Sequence, residues 1–454
     1  MIKRISPYLV VALTFAAIVL RCGDAAAQNR SFSFIRDAEI ENTIRAFATP
    51  LFQVAGLNPS AVEVYIVNDN SLNAFVAGGQ KLFINTGLLM STDNPGQLIG
   101  VIAHETGHIA GGHLSQTQEQ LSRSTAQQIL ATVVGAAAAV ATGRGDVGAA
   151  VISGGQATAT YSYLHYSRTQ EGKADSAGMR FLDESGQSAE GMLQFLQKLS
   201  GQELLSWRHQ DPYLRTHPLT RERILAVENH VKNSKYTGTP ASPEFLEMHA
   251  RMKAKLKAFV NPPSRTLREY EETDNSLAAR YARAIAYYRV PDLDKALPII
   301  DSLIADRPQD PYFKETKAQM LFENSRPKEA LELYEAAAEM LPESALVRLE
   351  TARVQLEMND PSRLDAAIEN LRAAQKKEPR SASIWRNLAI AYGRKGDMGM
   401  SALSQAEEAY ARGNERDARF HASKAKDLLP AGSPAALQAA DILTATEKAG
   451  EGKK

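Results

Sequence analysis

The chain has 454 residues, more than one hydrophobic core ordinarily serves, so two or more domains are expected. Lysine plus arginine and aspartate plus glutamate each number 52, which excludes the basic excess that nucleic-acid binding needs. Hydrophobic residues make up 44% of the chain and charged residues 23%, the proportions of a globular protein and not of a disordered one.

At the N-terminus, Lys3 and Arg4 precede an uncharged run over 7–20, and Ala25-Ala26-Ala27-Gln28 offers small residues for signal peptidase. The run is short for a membrane span. Residues 1–27 therefore read as a secretory signal, and no spanning helix is expected after its removal. The single cysteine, Cys22, lies inside it, and Arg21 just before it disfavours a lipoprotein signal. Cleavage after Ala27 removes Lys3, Arg4, Arg21 and Asp24 and leaves 49 basic against 51 acidic residues. The mature chain then has no cysteine and must fold on core burial alone.

Residues 32–48 are expected to form an amphipathic helix, with Phe34, Ile35, Ile40, Ile44 and Phe47 at helical spacing. The alternation over 62–67 predicts a strand. The apolar runs 72–77 and 81–84 flank Gly78-Gly79 and read as a hairpin, placed where a substrate-lining strand would precede the next helix.

That next helix begins in the apolar run 98–103 and carries His104-Glu105-Thr106-Gly107-His108. Positions i and i+4 share a helix face, so His104 and His108 project side by side as half of a Zn²⁺ site. Glu105 flanks the metal and can take a proton from a metal-bound water. This is the H-E-x-x-H pattern of zinc proteases. His113 is five residues past His108, one short of the spacing a third histidine ligand would need, and is rotated off the ligand face.

The stretch 129–160 is rich in Ala, Gly and Val and reads as a pair of tightly packed helices or, on the sharper reading, as a lid hinged at glycines. A second helix follows with Glu171 and Asp175 at i and i+4. Glu171 can close a three-ligand set, and Asp175 can accept the free N–H of a liganding histidine. Further on, Thr216-His217-Pro218 leads into Arg221-Glu222-Arg223-Ile224. His217 or Arg223 can stabilise an oxyanion there, or these can be surface residues where a proline opens a helix.

Residues 231–241 have linker composition, a helix is expected over 243–260, and 261–264 breaks it. From about 275 the texture is helical with regular punctuation. Ala296, Ala330, Ala367 and Ala418 each precede a proline by twelve residues, at 308, 342, 379 and 430. The steps of 34 and 37, with Trp385, Leu388, Ala389 and Tyr392, follow the tetratricopeptide repeat. Such hairpins stack and leave a concave groove for a peptide or a partner. The last step, of 51, is about one and a half repeats, and the final helices read as a cap.

The chain resembles the zinc metalloprotease family that includes the membrane heat-shock protease HtpX and the CAAX prenyl proteases, in its periplasmic form with C-terminal tetratricopeptide repeats. The resemblance is carried by Asn73-Ala74-Phe75, Thr86-Gly87-Leu88-Leu89, His104-Glu105-x-x-His108 with His113, Glu171-x-x-x-Asp175, and His217-Pro218 followed by Arg223-Ile224. It implies a mainly α protein, a zincin-type α+β metalloprotease domain followed by an all-α repeat solenoid. It implies one Zn²⁺ held by His104, His108 and Glu171, and Glu105 as catalytic base. Asp175 stands where the family has a second active-site acid, although the residue spacing makes it an orienting group. His217 stands where the family has a histidine able to occupy the open zinc position and silence the site. The resemblance also implies quality control of outer-membrane proteins in the periplasm: unfolded or misassembled substrates, and a link to the β-barrel assembly machinery through the repeats. The competing function is a chaperone or scaffold that works through the repeat groove while the zinc site stays locked. The expected layout is a signal over 1–27, protease over 28–240, linker helix over 241–274, repeats over 275–445 and a disordered tail over 446–454.

Overall fold

A computed structural model describes residues 33–117, 167–200 and 212–451, with positions 119 and 153. The signal segment, Cys22 and, except for position 153, the stretch 129–160 lie outside the described residues.

The first half is built on a four-stranded sheet with strand order β1-β2-β4-β3. Its strands are β1 (Phe34–Ile35), β2 (Glu63–Val67), β3 (Ala74–Ala77) and β4 (Lys81–Asn85). β2 and β4 are parallel, and the other two pairings are antiparallel. β3 and β4 form the expected hairpin. Gly78 and Gly79 turn it at φ of 56° and 93°, where a side chain would be strained. Among the described residues, β3 is an edge strand.

Helix α1 (Ala38–Val54) begins later than the periodicity suggests. Phe34 and Ile35 pair with Val67 and Ile66 instead, and Asp37 caps the helix by accepting from the Ile40 N–H at 2.9 Å. Ile40, Ile44 and Phe47 are buried as expected. After α2 (Thr86–Ser91) comes α3 (Pro95–Ala110), with Pro95 in its first turn and the Asn94 side chain accepting from the Gln97 N–H. α3 is buried along most of its length in a core shared with α1, the sheet and α5 (Glu190–Leu199). Between α3 and α5 in sequence lies α4, residues 167–184. α6 (Pro212–Thr216) and α7 (Arg221–Asn233) complete this half.

Helix α8 (Pro243–Val260) is no free tether. It gives Met252 and Leu256 to the first core, and Ala254 and Ala258 to the core of the first repeat. After the break at Asn261 and Pro262, α9 (Pro263–Glu269) leads into helix pairs: α10 (Leu277–Arg289) with α11 (Leu293–Asp306), α12 (Pro311–Glu323) with α13 (Pro327–Met340), and α14 (Ala345–Glu357) with α15 (Leu364–Lys377). α16 (Ala382–Lys395), α17 (Met398–Ala411) and α18 (Glu415–Leu428) follow. Pro308, Pro342, Pro379 and Pro430 each stand two residues beyond a helix end, where proline cannot continue the helix. The long step from Pro379 to Pro430 holds three helices in place of two. Ala296, Ala330, Ala367 and Ala418 are fully buried, and Trp385, Leu388 and Tyr392 pack in one cluster. The last helix, α19 (Pro434–Glu451), runs on into the tail expected to be disordered.

Part of the repeat surface is taken by the chain itself. Ala38 packs with Ala337, Ala338 and Val347, Asn42 donates to the Tyr312 hydroxyl at 3.0 Å, and Arg36 forks onto Glu378 at 2.6 and 3.1 Å. The start of α1 and the residues before it therefore cover part of the surface the repeats would otherwise offer to a partner.

A candidate metal centre between two helices

Two helices bring the site together by touching backbone to backbone. A Cβ at Gly107 of α3 would lie 2.6 Å from the Ala174 carbonyl oxygen of α4, and one at Gly178 of α4 would lie 3.1 Å from the backbone at Ala103 and His104. Any larger residue at Gly107 would push α4 away and carry Glu171 with it.

At this crossing, ligand-type atoms of His104, His108, Glu171 and His217 lie within 4.8 Å of one another. His104 Nε2 is 3.1 Å from His108 Nε2 and 3.3 Å from His217 Nδ1. The Glu171 oxygens lie 3.3 Å from His104 Nε2, 3.3 Å from His108 Nε2 and 3.2 Å from His217 Nδ1. Tetrahedral bonds of about 2.0–2.1 Å put neighbouring ligand atoms roughly 3.3–3.4 Å apart. The donors are thus spaced as they would be around one small cation.

The outward partners point each lone pair into the cluster. His104 Nδ1–H donates to Asp175 Oδ1 at 2.8 Å, and His108 Nδ1 meets His113 Nδ1 at 3.0 Å. His217 Nε2–H donates to the Ala74 carbonyl of β3 at 3.2 Å. With a proton on each outward nitrogen, the three inward nitrogens are free to bind a metal. Asp175 is in turn held by Arg223, through Nε at 2.6 Å and Nη2 at 2.9 Å. Arg223 Nη1 reaches the Pro218 carbonyl and Glu171, both at 2.9 Å.

Arg223 thus has its donors committed to protein groups and is not aimed at an incoming oxyanion. Pro218 does not open the helix either. Thr220 caps α7, accepting from the Arg223 N–H. Sequence reasoning dismissed His113 as a ligand and missed its contact with the back of His108. Its burial to 6% exposure is a tertiary fact that five-residue spacing does not reveal.

The electrostatics are those of a pocket short of positive charge. Glu105, Glu171 and Asp175, all buried, face one guanidinium. Burial works against charging His104, but Asp175 and Glu171 outweigh it and raise its pKa to about 10. Burial is likewise outweighed at Asp175, which Arg223 and His104 hold down to about 2. Burial lowers His108 to about 3. Glu105 is pushed up, chiefly by burial, and neither of its carboxylate oxygens has a hydrogen-bond partner. His217 Nε2 stands 3.4 Å from its Oε1. With the imidazoles neutral, as metal ligands must be, three carboxylates against one guanidinium leave two negative charges, which one divalent cation would cancel; without it, a proton on His104 takes up part of that deficit. The donor set, the lone-pair directions and the charge deficit all fit a resident divalent metal.

The cluster opens into a cleft lined by Phe75, Val76, Gly78, Gly79, Glu105, His108 and His217. Asn85 N–H donates to the Asn73 carbonyl at 2.9 Å, so Asn73, Phe75 and Ala77 turn their backbone groups towards β4. Ala74 and Val76 turn theirs to the other edge, where the Ala74 carbonyl meets His217 and Val76 lines the cleft.

Residues 35–231 match the sequence profile described as Peptidase family M48, and residues 281–345 and 349–419 match that of the tetratricopeptide repeat. The chain is 26% identical over 349 residues to the Beta-barrel assembly-enhancing protease of Yersinia pestis, covering 76% of this chain and 70% of that one. It is 26% identical over 336 residues to the protein of the same name from Escherichia coli strain K12, covering 73% and 68%. It is 24% identical over 180 residues to Metalloprotease YcaL of that strain, covering 39% and 64%. No helix among the described residues is long and apolar enough to cross a membrane. Through residues 35–231 the chain is similar to peptidase family M48, and with tetratricopeptide repeats joined to that part it is a metalloprotease.

Proposed function

We propose that the chain is a zinc endopeptidase of the cell envelope, exported by residues 1–27, that cuts incompletely folded exported proteins and assists assembly of outer-membrane β-barrels. The observation that carries the chemistry is the set of donor atoms 3.1–3.3 Å apart beside the unpartnered Glu105 carboxylate. His104, His108 and Glu171 are the ligands, and two imidazoles with one carboxylate favour zinc over harder cations. Bound there, zinc supplies Lewis acidity to a water and to the scissile carbonyl. Glu105 takes the proton of the attacking water and hands it to the leaving amine. Its burial makes it a stronger base for that task. Asp175 positions His104, and Arg223 positions Asp175. The substrate backbone pairs with the edge of β3 at Ala74 and Val76. The envelope role rests on the signal reading and on the assembly function in the relatives' name, and the repeats are the surface for protein partners.

His217 sits in this scheme as a lock. Its Nδ1 would hold the metal as a fourth protein ligand, and its Nε2–H takes the Ala74 carbonyl that a substrate N–H would use. Zinc with four protein ligands behaves as a structural site. A substrate must displace one side chain from both places at once. The same seating favours the second reading, a chaperone whose site stays closed.

A casein-type assay beside metal analysis tests the proposal. One zinc per chain is expected, retained in Glu105→Gln, with turnover down roughly a thousandfold in that variant. Unchanged turnover, or full zinc occupancy in His108→Ala, refutes the mechanism. His217→Ala gains turnover if the residue locks the site. It loses roughly a hundredfold if the residue binds the oxyanion.

A further inference from the structure

The outward face of the sheet carries a row of aromatic rings that the core does not use. Phe34 of β1 lies 5.6 Å from Tyr65 of β2 between ring centroids. Tyr65 stacks on Phe83 of β4 at 5.0 Å and 13°, and Phe83 stacks on Phe75 of β3 at 5.0 Å and 9°. The opposite face holds Ile66, Leu82 and Ile84 in the hydrophobic core, to which none of the four rings belongs among the described residues. The row ends in the catalytic cleft, because Phe75 lines it. A one-sided aromatic row left partly in water marks a recognition surface.

We propose that this row is a specificity subsite, and that its occupant is an aromatic side chain on a substrate strand added to the edge of β3. The inference rests on the substrate pairing proposed above. Phe75 turns its backbone groups towards β4, so a residue opposite it on an added strand stands in a non-hydrogen-bonded pair. In such pairs the side chains of neighbouring strands come closest. The occupant's ring then continues the stack at the same spacing of about 5 Å as a fifth member. Substrate residues two places either side share this face but have no ring opposite them, only Asn73 and Ala77. The preference is therefore confined to one position. The rings of Phe83 and Tyr65 are positioning groups that hold Phe75 flat to the cleft.

The test uses the full chain carrying Glu105→Gln and His217→Ala, zinc-loaded, so that binding is read without cleavage and with the edge of β3 free. The probes are fluorescein-labelled extended peptides of serine and threonine with a single phenylalanine stepped along them. One phenylalanine position should bind roughly tenfold to a hundredfold tighter than the plain peptide. Phe75→Ser in the same background should abolish that preference, and Phe83→Leu, which keeps apolar bulk but breaks the stack, should reduce it. Equal binding at every position, no binding, or a preference that survives Phe75→Ser overturns the proposal. If Phe75→Ser does not fold, the positional scan and Phe83→Leu decide. Casein cleavage by the wild-type chain and by His217→Ala is measured in parallel. Its absence in both, with the positional preference intact, refutes the proteolysis reading and leaves the subsite standing.

Discussion

Two clusters of buried charge among the described residues, one at the joint between the halves and one at the crossing of α3 and α4, differ in what their groups point at. At the joint between the halves, Arg251 meets Glu39 at 2.7 Å and forks onto Asp310, while Lys255 meets Asp37 at 2.8 Å and Glu39 at 3.3 Å. The Tyr281 hydroxyl donates to Glu39 at 2.9 Å. Glu39, Arg251 and Lys255 are all buried, and each has its charge answered within the chain. At the crossing of α3 and α4, three carboxylates face one guanidinium, imidazole lone pairs converge, and Glu105 has no hydrogen-bond partner. Burial alone therefore does not distinguish a structural charge from a functional one. At the joint, carboxylates and cations meet one another directly, although Arg251 Nε and Glu315 Oε2 have no hydrogen-bond partner, whereas at the crossing imidazole nitrogens and carboxylate oxygens converge on one point, as ligands do.

The contrast can be broken first at the joint. Glu39→Ala leaves Arg251 and Lys255 buried with part of their countercharge gone, and should cost about 3–5 kcal/mol. Chemical denaturation measures it, and zinc content at native conditions should be unchanged. A loss below about 1 kcal/mol would mean that water or rearrangement satisfies the two cations.

A smaller effect comes from Asp175, an acid of the metal pocket that Arg223 and His104 pair. Asp175 is held at about 2 by Arg223 and His104, against an ordinary value near 3.8. Its contribution is fully present above pH 4 and is lost as the pH falls through 2. It amounts to about 2 kcal/mol. In metal-stripped protein, Asp175→Asn should remove that part of the acid sensitivity. A wild-type stability that is flat between pH 4 and 2 would contradict it.

The smallest effect sharpens the comparison most. Glu105→Gln neutralises a buried carboxylate that has no hydrogen bond to lose. Metal-stripped protein should gain about 1 kcal/mol or stay level, while turnover collapses. Thermal unfolding of both stripped proteins measures it. A substantial loss of stability would show that Glu105 has a structural partner after all.

What the amino-acid sequence determines here is what is local or periodic. His104 and His108 share a face because the helix repeats every 3.6 residues, and Glu171 and Asp175 do so for the same reason. The repeats were legible because a proline closes the second helix of each pair at a constant distance from a buried alanine. The hairpin was legible from its glycine pair. The tertiary structure decided the rest. Phe34 and Ile35 fit a helical pattern, yet the partner strand offered by Ile66 and Val67 outweighed that local preference. Residues 241–274 were expected as a linker helix, but α8 is apolar on two sides and is gripped by two cores. His113 gains its place behind His108 only when the chain turns after α3, and Arg223 finds Asp175 across 48 positions. Neither contact has a periodic trace in the sequence, because each is fixed by which elements pack together and not by the spacing along one of them.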